Sequence, residues 1–108
     1  MKRYYRVRKS DEFPDIMNYK RFYSCPSFTL YIKPRKEDHA RIGISAGKKL
    51  GKAHIRNKVK RQVRMMCTEI YHFDEKFDSV ILVRPNYLKE NYQNNKKYLE
   101  MLYKKVKI

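Results

Sequence analysis

Apolar and polar residues alternate along two short segments in the first half of the chain. Residues 28–33 and 40–46 each place their apolar side chains on one side and mostly polar side chains on the other. This period of two is typical of half-buried β-strands. The inward positions are Phe28, Leu30, Ile32, Ile42, Ile44 and Ala46. Since a short polar link, residues 35–39, joins the two segments, the pattern favours a β-hairpin.

Helical spacing of apolar residues marks three other segments. The strongest is residues 53–72, with an apolar stripe at Ile55, Val59, Val63, Met66 and Ile70. A short helix is predicted after a capping Ser10, with Phe13, Ile16 and Met17 on one side. A last helix carries Leu99, Leu102, Tyr103 and Val106, and residues 80–83 read as a fully buried strand. The order helix, hairpin, helix, strand, helix predicts a single α/β domain over residues 1–108.

Charge narrows the choice of partner. The 108 residues include 27 Lys plus Arg against 11 Asp plus Glu, a formal net charge of +16. Such self-repulsion is relieved by a polyanion, and nucleic acid is the expected one. An anionic membrane is the rival, but no apolar run approaches the roughly 18 residues of a spanning helix, and we expect no signal peptide. Cys25 and Cys67 form no metal or disulfide motif, which favours the cytoplasm.

The first nine residues form a basic arm. Five of them are cationic, namely Lys2, Arg3, Arg6, Arg8 and Lys9. Such an arm is expected to stay mobile until RNA neutralises it, although an ordinary solvated terminus fits the same residues.

One side of the central predicted helix is polar and basic. Asn57, Lys60, Arg61 and Arg64 recur at helical spacing, nearly opposite the apolar stripe. Arg56 and Lys58 flank them, and residues 40–68 contain no acidic side chain. Guanidinium groups suit phosphate, and an Asn side chain offers both a donor and an acceptor. The face therefore predicts RNA binding, while a generic basic helix of a ribosomal or DNA-binding protein remains open.

A glycine-framed loop precedes this helix. Gly47 and Gly51 enclose lysines, and Lys52 follows, so the backbone could approach a phosphate. The spacing departs from a Walker A loop, because three residues separate the glycines and Ala53 follows Lys52. We therefore expect no nucleotide cofactor.

These motifs together resemble the protein subunit family of bacterial ribonuclease P. The matching runs, in order, are 41–45 (RIGIS), 48–51 (KKLG) and 56–61 (RNKVKR) followed by Arg64, with looser matches at 11–13 (DEF) and 27–31 (SFTLY). Two positions depart from the family pattern: Lys58 stands where arginine is commoner, and Met17 stands where an aromatic residue is frequent.

The resemblance implies a fold and a role. The implied fold is a two-layer α+β sandwich in the order α-β-β-α-β-α, with a mixed central sheet, room for one more short strand and a left-handed crossover, similar to the second domain of ribosomal protein S5. Periodicity alone predicts the usual right-handed crossover. The implied role is to bind the catalytic RNA subunit and the 5′ leader of precursor tRNA during endonucleolytic tRNA maturation. A structural RNA-binding protein of the ribosomal type is the alternative.

The resemblance also implies site residues and cofactors. Residues matching the RNA-subunit surface are Lys48, Lys49, Lys52, Arg56, Asn57, Lys58, Lys60, Arg61 and Arg64. A leader groove is expected at Phe13, Met17, Tyr31, Arg41 and Ser45, although helical spacing alone fits an ordinary core role for Phe13 and Met17 equally well. Catalysis is expected from Mg²⁺ bound mainly by the RNA, with no catalytic residue in the protein.

Overall fold

The computed structural model describes residues 1–8 and 10–106. These residues fold into a mixed four-stranded sheet with helices on both faces. The strands are β1 Arg21–Ser24, β2 Phe28–Pro34, β3 Ile42–Ser45 and β4 Phe77–Val83. The α-helices are α1 Glu12–Met17, α2 Ala53–Ile70 and α3 Tyr92–Lys105. Short 3-10 helices span Arg3–Tyr5, Lys48–Leu50 and Pro85–Lys89. This α+β architecture agrees with the predicted fold class.

The strand order corrects the predicted hairpin. The sheet runs β1-β2-β4-β3, so β4 lies between the two strands that were expected to pair. β4 is antiparallel to β2 and parallel to β3, whereas β2 pairs with β1 as an antiparallel neighbour. Local alternation determines which face of a strand is buried but not which strand lies beside it. β4 lies between β2 and β3 because its apolar run, residues 80–83, is suited to burial on both faces.

Helix α2 makes the connection between the parallel strands β3 and β4. The hand of this crossover stays a prediction. Helix α1 begins at Glu12 with Asp11 at its N-cap, so the cap predicted at Ser10 is wrong. Periodicity also missed β1, whose four residues are too few to establish an alternation.

Two apolar clusters lie on opposite faces of the sheet. The larger one joins Phe28, Leu30 and Ile32 of β2 to α2 and α3. The predicted stripe of α2 is confirmed: its middle residues Val59, Val63 and Met66 are buried, and its two outer isoleucines are half-buried. The smaller cluster joins Val7, Ile16 and Val80 beneath α1. Because α1 is short, it covers only part of its face and leaves the rest of the sheet open.

Candidate nucleic-acid interface

A buried leucine holds the lysine loop against the domain. In the 3-10 helix Lys48–Leu50, Leu50 is buried while Lys48 and Lys49 are exposed. Gly51 follows with a φ of 125°, a conformation that disfavours side chains, and a Cβ there would lie 3.1 Å from Ile55 Cδ1. This turn directs the chain into α2, so that the lysines lie beside the positive end of the helix dipole.

The basic face of α2, defined as residues 56, 57, 58, 60, 61 and 64, points away from the core. Asn57, Lys58 and Arg61 are exposed, and the other three are half-buried. Among the described residues, none of the cations between positions 48 and 64 forms a salt bridge. A purely solubilising surface normally mixes charges of both signs. The structure thus leaves a strip of positive charge without an internal counterion.

The basic arm extends this strip in a way that the sequence did not reveal. Arg6 forms a parallel bridge with Ile42 at the edge of β3. The pKa of Arg64 is lowered, first because burial desolvates its guanidinium and second because Arg6 brings a like charge nearby. The Nε atoms of Arg6 and Arg56 are buried and lack an acceptor within the described chain. Two cations that repel each other at close range are stabilised when an anion binds between them. The arm's predicted mobility stays a prediction, and Lys9 lies outside the described residues.

The residues of the second predicted surface lie where α1 packs on the sheet, and their role as a groove stays a prediction. Phe13, Met17 and Tyr31 pack against the smaller apolar cluster and are each half-buried. Phe13 lies directly over Gly43, where a Cβ would come within 2.7 Å of the ring. Each of these side chains therefore contributes to the core and also keeps part of its surface exposed. Ser45 is half-buried on the same sheet face, at the end of β3.

Arg41 occupies a different environment from the other predicted groove residues. Its guanidinium forms salt bridges to Glu12 at 3.1 Å and to Asp78 at 3.2 Å. Burial alone would lower the pKa of Arg41, but the nearby Asp78 and Glu12 carboxylates raise it. Because two carboxylates offset its charge, Arg41 is suited to fixing α1 on the sheet rather than to holding a phosphate.

The sequence patterns did not predict one exposed aromatic side chain on this face. Phe22 of β1 is 57% exposed, and its ring centroid lies 5.7 Å from that of Tyr31. The sequence signal was weak, because the strand that orients Phe22 has only four residues.

Comparison with known proteins decides between the families that such surfaces fit. The family model described as Ribonuclease P matches residues 1–107. The chain belongs to the ribonuclease P protein family. The prediction made from the motifs is thereby confirmed, and with it the role of protein subunit of ribonuclease P.

Individual ribonuclease P proteins resemble the chain along almost its whole length. The ribonuclease P protein component of Mycoplasma capricolum is 41% identical over 105 residues, which cover 94% of each chain. That of Lactiplantibacillus plantarum is 34% identical and covers 92% of this chain and 89% of its own. The structure of the Staphylococcus aureus ribonuclease P protein superimposes with a TM-score of 0.83 at 30% identity over 93% of each chain. The Thermotoga maritima ribonuclease P protein gives 0.81 at 25% identity, covering 95% of this chain and 98% of that one.

No helix within the described residues has the length and apolar character needed to cross a membrane. Within the same residues, no three His, Cys, Asp or Glu side chains gather in a way that could hold a metal ion.

Proposed function

We propose that this ribonuclease P protein binds the catalytic RNA through the basic face and the lysine loop, and binds the 5′ leader of precursor tRNA in the groove beside α1. In this proposal it promotes the endonucleolytic removal of the leader that yields mature tRNA 5′ ends in the cytoplasm. The observation that carries the proposal is the strip of cations between positions 48 and 64, which has no internal counterion in the described chain.

The basic face suits a folded RNA backbone. Guanidinium groups such as that of Arg61 can place two parallel N–H donors on one phosphate. Lys58 offers a point charge instead, so its contact is less directional than that of an arginine. The exposed amide of Asn57 can both donate to and accept from a base edge or a ribose hydroxyl. Neutralising several phosphates releases counterions, which makes assembly strongly salt-dependent.

The groove suits a single strand of unspecified sequence. Bases stack on flat aromatic faces without regard to their identity, and Tyr31 and Phe13 are half-buried rings that pack on the same apolar cluster. Met17 adds a soft apolar contact at the same wall. Arg41 contributes by positioning, since its salt bridges hold α1 at the distance from the sheet that sets the width of the groove.

We propose that the reacting Mg²⁺ ions are held mainly by the RNA subunit, where they would supply Lewis-acid chemistry for the cleavage. The protein's part is then to bind and orient: the basic face fixes it on the catalytic RNA, and the groove fixes the leader. Both functions raise the share of substrate held in the productive position.

Reconstitution with a ribonuclease P RNA at low magnesium tests the proposal. The protein is expected to increase cleavage of precursor tRNA at the mature 5′ end. RNA binding without an increase in cleavage would indicate a purely structural RNA-binding protein. Correct cleavage by the protein alone, without the RNA subunit, would place the catalytic groups in the protein instead.

Tyr31→Ala tests the groove separately. Loss of one stacking contact is expected to cost about 1 to 3 kcal/mol of leader binding, with affinity for the RNA subunit nearly unchanged. The measurement is the dissociation constant of the reconstituted enzyme for precursor tRNA with and without its leader. Equal affinity of the wild-type enzyme for the two substrates would remove the groove from the proposal.

A further inference from the structure

The exposed ring of Phe22 lies on the same sheet face as the leader groove. In the β1–β2 register, Phe22 is directly opposite Tyr31. Tyr31 is in turn opposite Val80, which belongs to the apolar cluster under α1. Side chains of directly opposed residues share a face of the sheet. Phe22 therefore continues the row formed by Val80 and Tyr31 outward to the edge strand.

The geometry of this aromatic pair leaves room for a further flat group. The Phe22 and Tyr31 rings are inclined at 45° with centroids 5.7 Å apart, and Phe22 remains 57% exposed. A cross-strand aromatic pair stabilises a hairpin whether or not it binds a ligand. Here, however, more than half of the Phe22 surface stays in water, where an apolar ring gains nothing.

The surroundings of Phe22 favour an anionic, single-stranded partner. Residues 16–36 contain no Asp or Glu, and Lys20 and Arg21 directly precede Phe22. Lys20 is exposed. The next cross-strand pair on this face, Ser24 and Thr29, has hydroxyl oxygens 3.4 Å apart. An exposed aromatic ring with an exposed lysine on one side and hydroxyls on the other matches the base, phosphate and ribose of an unpaired nucleotide.

We propose that Phe22 and Tyr31 form a stacking subsite for one unpaired base of the precursor tRNA leader. This inference rests on the proposed function, because it assumes that the leader follows the groove. Met17 provides no ring on α1, and Phe22 provides one on β1. In this chain Phe22 thus adds an aromatic ring at the edge of the sheet to the ring that Phe13 supplies from α1.

The test uses the reconstituted enzyme and two substitutions of Phe22. Phe22→Leu keeps an apolar side chain but removes the ring, and it is expected to weaken binding of leader-bearing precursor by about fivefold. Phe22→Tyr keeps the ring and is expected to bind like the wild type. Neither change should alter affinity for leaderless tRNA. Met101→Ala is the control, because Met101 is 54% exposed on α3, which packs on the other face of the sheet.

Abasic leaders locate the subsite. Removing the base at successive leader positions should weaken binding to the wild type at one position, and Phe22→Leu should abolish that dependence. If Tyr31→Ala weakens leader binding while Phe22→Leu does not, the groove stands and the subsite is overturned. If Phe22→Leu weakens the binding of both substrates equally, or changes the sedimentation of the free protein, Phe22 belongs to a protein contact and the inference is likewise wrong.

Discussion

Two cation-rich regions of this protein differ in how their charge is balanced. At the junction of α1 with the sheet, each of the cations Lys33, Lys36 and Arg41 lies within 4 Å of a carboxylate. Along the lysine loop and the basic face, no cation between positions 48 and 64 has such a partner within the described chain.

Cationic side chains are therefore suited to two different roles in this small domain. Paired cations hold elements together, since removing either partner leaves an uncompensated charge in a partly dry site. Unpaired cations weaken the isolated fold by repulsion, and that free energy is recovered when a polyanion binds. The pairing, rather than the number of lysines and arginines, separates the structural region from the proposed binding region.

Arg41→Met removes a paired cation from the junction of α1 with the sheet and should have the largest effect on stability. The change leaves Asp78, whose side chain is 3% exposed, without its cation. We expect a loss of about 3 kcal/mol in the free energy of unfolding, measured by urea denaturation. Arg61→Met on the basic face is the control and should change stability by less than about 0.5 kcal/mol. Equal effects at the two positions would mean that the distinction between paired and unpaired cations has no energetic basis.

Arg61→Ala removes an unpaired cation from the basic face and should affect RNA binding rather than stability. Loss of one phosphate contact is expected to lower the slope of log affinity against log salt by roughly 0.7 to 0.9, while stability stays near that of the wild type. Binding of the catalytic RNA at several salt concentrations gives the slope. Lys97→Ala, at an exposed position of α3, is a matched loss of charge elsewhere and should leave the slope unchanged. An unaltered slope for Arg61→Ala would place Arg61 outside the interface.

Much of the fold could be predicted from local patterns, because burial imposes a period on each element separately. The stripe of α2 and the alternation of β2 are examples, and both were placed within a few residues. The partner of β3 could not be predicted this way, because strand pairing depends on residues far apart in the chain. The apolar run at residues 80–83 of β4 carried the one usable signal, since a strand buried on both faces belongs in the middle of a sheet.

The candidate sites likewise contain features that local spacing predicts and features that depend on tertiary structure. The basic face was visible in the sequence because all of its residues lie on one helix, where spacing determines direction. The pairing of Arg41 was not visible, because Glu12 and Asp78 lie 29 and 37 residues away from it in the sequence. The approach of Arg6 to Arg64 and of Phe22 to Tyr31 likewise depends on tertiary structure. Sequence thus located the cations of the proposed RNA-binding surface but could not tell which other cations were already neutralised.

The exposed pair of Lys33 and Asp15 should give the smallest of the expected effects. The Lys33 ammonium lies 2.7 Å from Asp15, and its hydrogen bond, followed by its charge, lowers the pKa of that carboxyl. A carboxyl whose pKa is lower in the folded state adds stability above its unfolded pKa of about 3.9, and this contribution is lost as the pH falls through the folded value. Lys33→Met should therefore raise the pKa of Asp15 toward its ordinary value and make stability less dependent on pH below about 4. A carboxyl NMR titration measures the shift, with Lys60→Met on the basic face as the variant that should leave it unchanged. An Asp15 pKa that is the same in Lys33→Met as in the wild type would show that this exposed pair is not formed in solution, and the junction would then depend on Arg41 and Lys36 for its balance of charge.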